Sequence, residues 1–360
     1  SKQIDRNTLK IMGKNWGPEA IALHRSTSIF GNIVMLRENP LVEGELWAGT
    51  DDGRICVKRA GSDEWEIQET FTDIPEGTYV QDILLSKHNK TAVYALFNNH
   101  KNGDFKPYIL ASSNSGKSWK SISNDLPERG SLYAIAEDHV SKDLLFVGTE
   151  FGVQFTLNQG KNWKALKGGL LTIAVRDLTI QERENDLVLA TFGRGFYIMD
   201  DYSPLRSLTD ENLNKEGVIF PVKDGLFFNE NNIGGISYKG NSYFNTPNPP
   251  VGATFYYHLK DAPESLKSKR VKANKDNENP KFPTVEELRK ESLEKESFLV
   301  FVISNEEGQE LRRITASAKK GMNKITWDGR WAMTSNSVRG KAPLTSLNGG
   351  PVALPGNYYV

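Results

Sequence analysis

SSNSGKSW, Ser112–Trp119, returns in nearly the same form as TLNQGKNW, Thr156–Trp163. Each copy sets a hydroxyl residue, an asparagine, a glycine and a tryptophan at one fixed spacing. These residue types together make a clamped turn. Gly116 and Gly160 permit positive φ, and the side chains of Ser112, Asn114, Thr156 and Asn158 are expected to accept from backbone N–H groups two residues on. Trp119 and Trp163 then bury a large ring against whatever the turn joins. A worn copy, KRAGSDEW at 58–65, keeps only Trp65 in place.

Outward from these turns the chain repeats. ELWAGTDDGRICV (45–57), AVYALFNNH (92–100), LLFVGTEFGVQF (144–155) and LVLATFGRGFYI (187–198) are each a β-branched and aromatic run leading into Gly or Asn and then more β-formers, which is the pattern of a hairpin. Another apolar alternation precedes each hairpin. Measured between Leu46, Val93, Leu145 and Val188, the repeats lie 47, 52 and 43 residues apart. Periods of ~40–50 residues with four strand signals each are those of β-propeller blades. The expected fold class is therefore all-β, with about four blades of a partial or small propeller. Their strands run A to D from the inside outward, and the clamped turns fall between C and D.

The turn pattern resembles the Asp-box, or BNR repeat, S-x-D-x-G-x-x-W, of sialidase-like and sortilin-like propellers, with Asn where that family has Asp. Asn keeps the acceptor and loses the charge, so Ser112, Asn114, Gly116, Trp119, Thr156, Asn158, Gly160 and Trp163 are expected to hold turns and not a metal. Beyond the boxes, LWAGTDDGR, LLFVGTEFG, the stretch from Val175 to Arg206, WDGR (327–330) and LPGNYYV (354–360) are similar to large bacterial secreted proteins labelled sortilin-like or BNR-repeat "glycosyl hydrolases". This resemblance runs from about Ile33 onward. It implies an extracellular, periplasmic or cell-surface location, and a parent propeller with more blades than four. With Cys56 the only cysteine, the cysteine-rich module of sortilin receptors has no counterpart here.

The expected domain organisation is propeller blades over 1–228, a linker rich in Asn, Gly and Pro over 229–252, and a β-sandwich over 253–360. Strand signals at ATFYYHLK, SFLVFVIS, RITAS and MNKITW, with W-D-G-R and a late P-G-x-Y, resemble the FlgD-type immunoglobulin-like domain. VIFPVKDGLFF (218–228) is expected to finish the last blade or bridge outward. The charged insertion 262–296 carries a capping-box pattern, Thr284 with Glu287, which predicts a short helix over 285–296.

Lys plus Arg equals Asp plus Glu at 45 each, so no net field draws the protein to nucleic acid or an anionic membrane. No apolar run approaches the ~18 residues that span a bilayer. SKQIDRNTLK lacks a signal-peptide pattern and an initiator Met, so the chain is expected to be an excised piece whose targeting signal lay upstream. The five histidines, His24, His88, His100, His139 and His258, show no ligand spacing, so neither a metal nor a cofactor is expected. Cys56 is read as a small apolar strand residue.

In a blade the B–C turns and D–A connections share one face, opposite the clamped turns. That face would present Asp51, Asp52, Glu150, Phe151, Phe192 and Arg194, with the insertion 98–106 and the loops IPEGTY and LPERGS. Carboxylates beside an arginine and aromatics suit a glycan or a protein segment, and Asp and Gly are equally what a tight hairpin demands. A retaining or inverting glycosidase would need two acids ~5–9.5 Å apart; Asp51, Asp52 and Glu150 are the candidates for that alternative, which resembles the propeller xyloglucanases. No catalytic set is recognisable, so the leading expectation is a non-catalytic binding module, dimeric or associated with further blades.

Overall fold

Four repeats of the apolar alternation build four antiparallel sheets in sequence order. The structure is a computed structural model that describes residues 31–227, 248–275, 282–332 and 350–360, together with residues 8, 10–11, 13–17, 246 and 277. A short hairpin, β1 (Lys10–Ile11) with β2 (Lys14–Asn15), precedes them. The first blade orders β3 (Ile33–Glu38), β4 (Leu46–Thr50), β5 (Ile55–Lys58) and β6 (Trp65–Gln68). The second runs β7 (Tyr79–Leu85), β8 (Val93–Asn98), β9 (Tyr108–Ser112) and β10 (Lys120–Ser121). The third runs β11 (Leu132–Glu137), β12 (Leu145–Thr149), β13 (Gly152–Thr156) and β14 (Lys164–Leu166). The fourth has three strands, β15 (Val175–Gln181), β16 (Asp186–Thr191) and β17 (Phe196–Met199). These are the blades of a β-propeller.

Every inner strand carries a bulge at the same register. The pairing slips between Ile33 and Met35, Val80 and Asp82, Leu132 and Ala134, and Val175 and Asp177. One extra residue per blade, Val34, Gln81, Tyr133 or Arg176, is thereby left out of the ladder, and a bulge of this kind re-aims a side chain.

Successive blades pack face to face. Trp47, Ile55 and Val57 of the first bury against Val80, Ile83, Leu85, Val93 and Phe97 of the second. Tyr94, Leu96 and Ile109 of the second meet Leu132, Ile135, Leu145 and Val147 of the third. Glycine permits the closest approaches: a Cβ at Gly49 would lie 2.6 Å from Val80 Cγ1, and one at Gly148 would lie 2.6 Å from the Val175 carbonyl oxygen. Both occupy the same position of strand B, where a methyl group would force the blades apart.

The clamped turns join strands C and D of blades two and three. Ser112 Oγ accepts from Gly116 N at 2.9 Å and Thr156 Oγ1 from Gly160 N at 3.0 Å. Asn114 and Asn158 accept from residues four on, Ser118 N and Asn162 N, each at 2.9 Å, and not from residues two on as the sequence suggested. The reason lies in two successive left-handed residues, Ser115 with Gly116 and Gln159 with Gly160, which curl the backbone back over the asparagine. Trp163 is buried and donates to the Ile122 carbonyl at 2.8 Å; half-buried Trp119 donates to Gln68 at 2.9 Å. Trp65, in the worn copy, stands exposed. Cys56 is half-buried and free, its thiol pKa pushed up by burial.

The fourth blade ends differently from expectation. After Met199 the chain turns at Asp201 (φ 45°) into a 3-10 helix, Ser203–Ser207, which buries Pro204 and Leu205. Fully buried Tyr202 donates from its hydroxyl to Asp138 at 2.6 Å, and Arg206 holds the same carboxylate with two bonds of 2.8 and 2.6 Å. Burial acts to raise the Asp138 pKa, but the Arg206 and Tyr202 hydrogen bonds hold it below the usual carboxylate range. Compact structure divides between Arg206 and Ser207, earlier than the expected change after residue 228.

In the second unit α1 (Asp210–Asn214), capped by Thr209, leads into β18 (Gly217–Ile219). This strand pairs with β19 (Ala253–Leu259) and so belongs to the second unit, not to the last blade. Two helices, α2 (Leu266–Asn274) and α3 (Val285–Leu293), form the charged insertion and bury no residue. They are joined by the Arg270–Glu291 ion pair, and the capping box at Thr284 and Glu287 is formed. Then follow β20 (Phe298–Asn305), β21 (Glu310–Ser317), β22 (Gly321–Trp327) and β23 (Tyr358–Tyr359). Sheets ordered β18-β19-β22 and β21-β20-β23 make a sandwich around Phe255, Tyr257, Phe301, Ile303 and Trp327. Trp327 donates to the Arg330 carbonyl at 3.0 Å and meets Tyr358 edge-on at 4.9 Å. Of the expected linker, residues 229–245 and 247 lie outside the described residues.

Candidate functional site

On the B–C face, a cavity of about 440 Å³ opens beside the inner strands of blades three and four. The long B–C connection of blade two forms one wall. Asp104 organises it by accepting from Asn99 Nδ2 at 3.0 Å and from the Tyr108 hydroxyl at 2.6 Å. Those bonds outweigh burial and hold its pKa below the usual range. The connection thereby presents His100 and Phe105. Gly130 N donates to the Phe105 carbonyl at 2.9 Å, which fastens the D–A loop carrying Arg129 alongside.

The floor comes from two bulges. Tyr133 and Arg176 are the extra residues of β11 and β15, and their side chains converge on Glu150 at the B–C turn of blade three. The Tyr133 hydroxyl donates to Glu150 Oε2, while Arg176 Nη2 stands 4.0 Å from the same oxygen. The Arg176 guanidinium also lies over the Tyr133 ring at 3.8 Å and 5.3 Å from the Phe192 ring centre, a cation–π arrangement. Burial and the Glu150 hydrogen bond push the Tyr133 phenol up to about 12. Burial, with Lys101 and Arg176 nearby, holds the His100 pKa below its usual value. Of the residues lining the cavity, Arg129 and Arg176 are basic and Glu150 is acidic, so the lining itself has an excess of basic groups, while Asp104 of the wall does not line it.

The candidates named from sequence part company here. Glu150 and Phe151 line the cavity, and Phe192 borders it through Arg176. Arg194 is exposed and does not line it. Asp51 is a buried fastener: its carboxylate accepts from Gly31 N at 2.6 Å, Asn32 N at 2.8 Å and Asn32 Nδ2 at 3.0 Å. Asp52 is buried too, accepting from the Thr50 hydroxyl with Arg54 3.9 Å away. Asp51 thus ties the hairpin turn to the chain entering β3, and Asp52 serves the turn itself. Tyr133 and Arg176 were not singled out, because a bulge shifts its strand by one residue and an alternation count passes over it; His100 and Arg129 lie in the insertion 98–106 and the LPERGS loop, which the sequence places on this face without singling them out. Among the described residues no group of three or more His, Cys, Asp or Glu is placed to hold a metal ion.

No protein-family model matches this chain, and no curated protein matches it. Among solved structures, Ycf48 bound to D1 peptide is 16% identical, covering 49% of this chain and 53% of its own, with a TM-score of 0.37. Ycf48 from Cyanidioschyzon merolae is 17% identical over 48% of this chain and 54% of its own, TM-score 0.37. The GH74 enzyme of Niastella koreensis is 16% identical over 64% of this chain and 34% of its own, TM-score 0.41. The chain thus matches about a third to about half of the length of these structures.

Proposed function

We propose that this chain is a binding module that holds an acidic segment of another protein in the cavity over Tyr133, Glu150 and Arg176, without chemistry on it. The observation that supports this reading is the state of Glu150. Its carboxylate accepts from Tyr133 and faces Arg176, and among the described residues lining the cavity there is no second carboxylate. Glycoside hydrolysis asks for two acids ~5–9.5 Å apart, whereas Arg129 and Arg176 beside exposed Phe105 and Phe151 offer charge and apolar surface. Arginine and aromatic side chains are what binding hot spots are made of. With Arg176 already covering the Tyr133 ring, a neutral glycan has less free aromatic face to stack upon. In the same reading the clamped turns are Asp-box repeats with Asn in the Asp position, the second unit is an immunoglobulin-like domain, and the protein works outside the cell.

Fluorescence anisotropy of an Asp/Glu-rich, Phe-containing peptide against the full chain tests this. Binding should weaken with salt, and Arg176→Ala should weaken it at least about tenfold, a loss of ~1.4 kcal/mol, with an unchanged melting temperature. Release of reducing sugar from a polysaccharide, abolished by Glu150→Gln, would instead establish the hydrolase.

A further inference from the structure

The two end blades keep, on their outer faces, apolar residues that inner blades bury. On the face each blade turns toward its successor, strand C carries Ile55, Ile109, Val153 and Phe196 at one register, opposite Gly49, Leu96, Gly148 and Ala190. The first three are 0%, 0% and 2% exposed, and Phe196 is 76% exposed. Two residues on, Val57 and Phe155 are 0% and 6% exposed, and Ile198 is 59% exposed.

The opposite face shows the converse at the other end. Ile33, Val80, Leu132 and Val175 each precede the bulge of strand A. The last three are fully buried, and Ile33 is 64% exposed. Leu36, in the place of Ile83, Ile135 and Leu178, is 55% exposed against 0%, 5% and 6%. Among the described residues, blade four thus ends in an uncovered leading face and blade one in an uncovered trailing face. Such faces mark interaction sites.

We propose that the leading face of blade four in one chain packs against the trailing face of blade one in a second copy of this chain. The occupant follows from continuity. At each interior junction a leading face seats on a trailing face, as Ile55 and Val57 do on Val80 and Ile83. Phe196 and Ile198 occupy the leading positions, Ile33 and Leu36 the trailing ones, so each chain carries both halves of one more such junction. Head-to-tail contacts between non-identical surfaces close when the rotation allows and otherwise propagate. Two chains of four blades make eight, within the usual 4 to 8 of closed propellers, and closure covers both end faces of each chain.

Light scattering and sedimentation of the full chain over a concentration series test the proposal, which predicts a dimer. Phe196→Asp with Ile198→Asp should weaken dimerisation at least about tenfold, and so should Leu36→Asp with Ile33→Lys. The substituted residues are exposed in the single chain, so each variant should keep the wild-type circular dichroism and melting behaviour when dilute. Mixing the two variants should restore a dimer through the one junction left intact, which a leading-to-leading contact would not do. A monomer at all concentrations, or a dimer indifferent to both double substitutions, overturns the proposal.

Discussion

Asp82 ties three blades together, and its ionisation can be read as stability. It follows the bulge of β7 and is buried. Its Oδ1 accepts from Ile83 N at 2.9 Å, its Oδ2 from Ile135 N of the next blade at 3.2 Å, and Arg37 of the preceding blade stands 3.5 Å away. Burial outweighs Arg37 and the backbone bonds, pushing the pKa from 3.8 to about 6. A carboxyl raised in the folded state contributes stability that is fully present below the unfolded value and is lost as pH rises through the folded one. At ~1.4 kcal/mol per pKa unit the loss is about 3 kcal/mol between about pH 3.5 and 7.5. Asp82→Asn cannot ionise. It places an amide against Ile135 N–H, a fixed penalty of ~1–3 kcal/mol for the unmet donor, and the carboxylates remote from Asp82 contribute equally to both proteins and cancel in the difference. The wild-type minus variant difference in unfolding free energy should therefore fall by about 3 kcal/mol over that range. Urea unfolding followed by tryptophan fluorescence, with m checked for equality, measures it. A difference constant with pH would refute the argument.

Two further outcomes separate the turns that hold the fold from those that do not. Trp163→Ala should cost about 3–5 kcal/mol because the ring is buried among packed side chains, whereas exposed Trp65→Ala should stay within about 0.5 kcal/mol; chemical denaturation of both variants compares them. Thr156→Val keeps the shape of the side chain and leaves Gly160 N–H without its acceptor, for an expected loss of about 1–3 kcal/mol. A variant as stable as wild type would mean that the hydroxyl does not clamp the turn.

How far the sequence reached can be judged residue by residue. Strand alternation, the Gly-containing hairpins and the Ser/Thr–Asn–Gly–Trp turns are local: a glycine with positive φ or a hydroxyl beside an N–H acts within a few residues, so 112–119 and 156–163 announced the blades and their handrails directly. The capping box at Thr284 is local in the same sense. Tyr202 and Arg206 could not be read this way, because their partner Asp138 lies more than sixty residues earlier. Nor could the assignment of Gly217–Ile219, whose apolar run suits a blade or a sandwich equally until β19 is placed beside it.

Of the candidate site, Glu150 and Phe151 were legible as turn residues on the face where the cavity opens. Tyr133 and Arg176 were not, since only the bulged register turns them out of the ladder toward Glu150. Asp51 and Asp52 carried the right chemistry for a site, but backbone N–H groups and a neighbouring hydroxyl claim them. The sequence by itself determined the repeat and its turns, because those depend on conformational preferences of single residues and near neighbours. The tertiary structure alone decided which polar groups remain free for a ligand and which apolar faces stay uncovered, because burial and partnership are properties of segments brought together from distant parts of the chain.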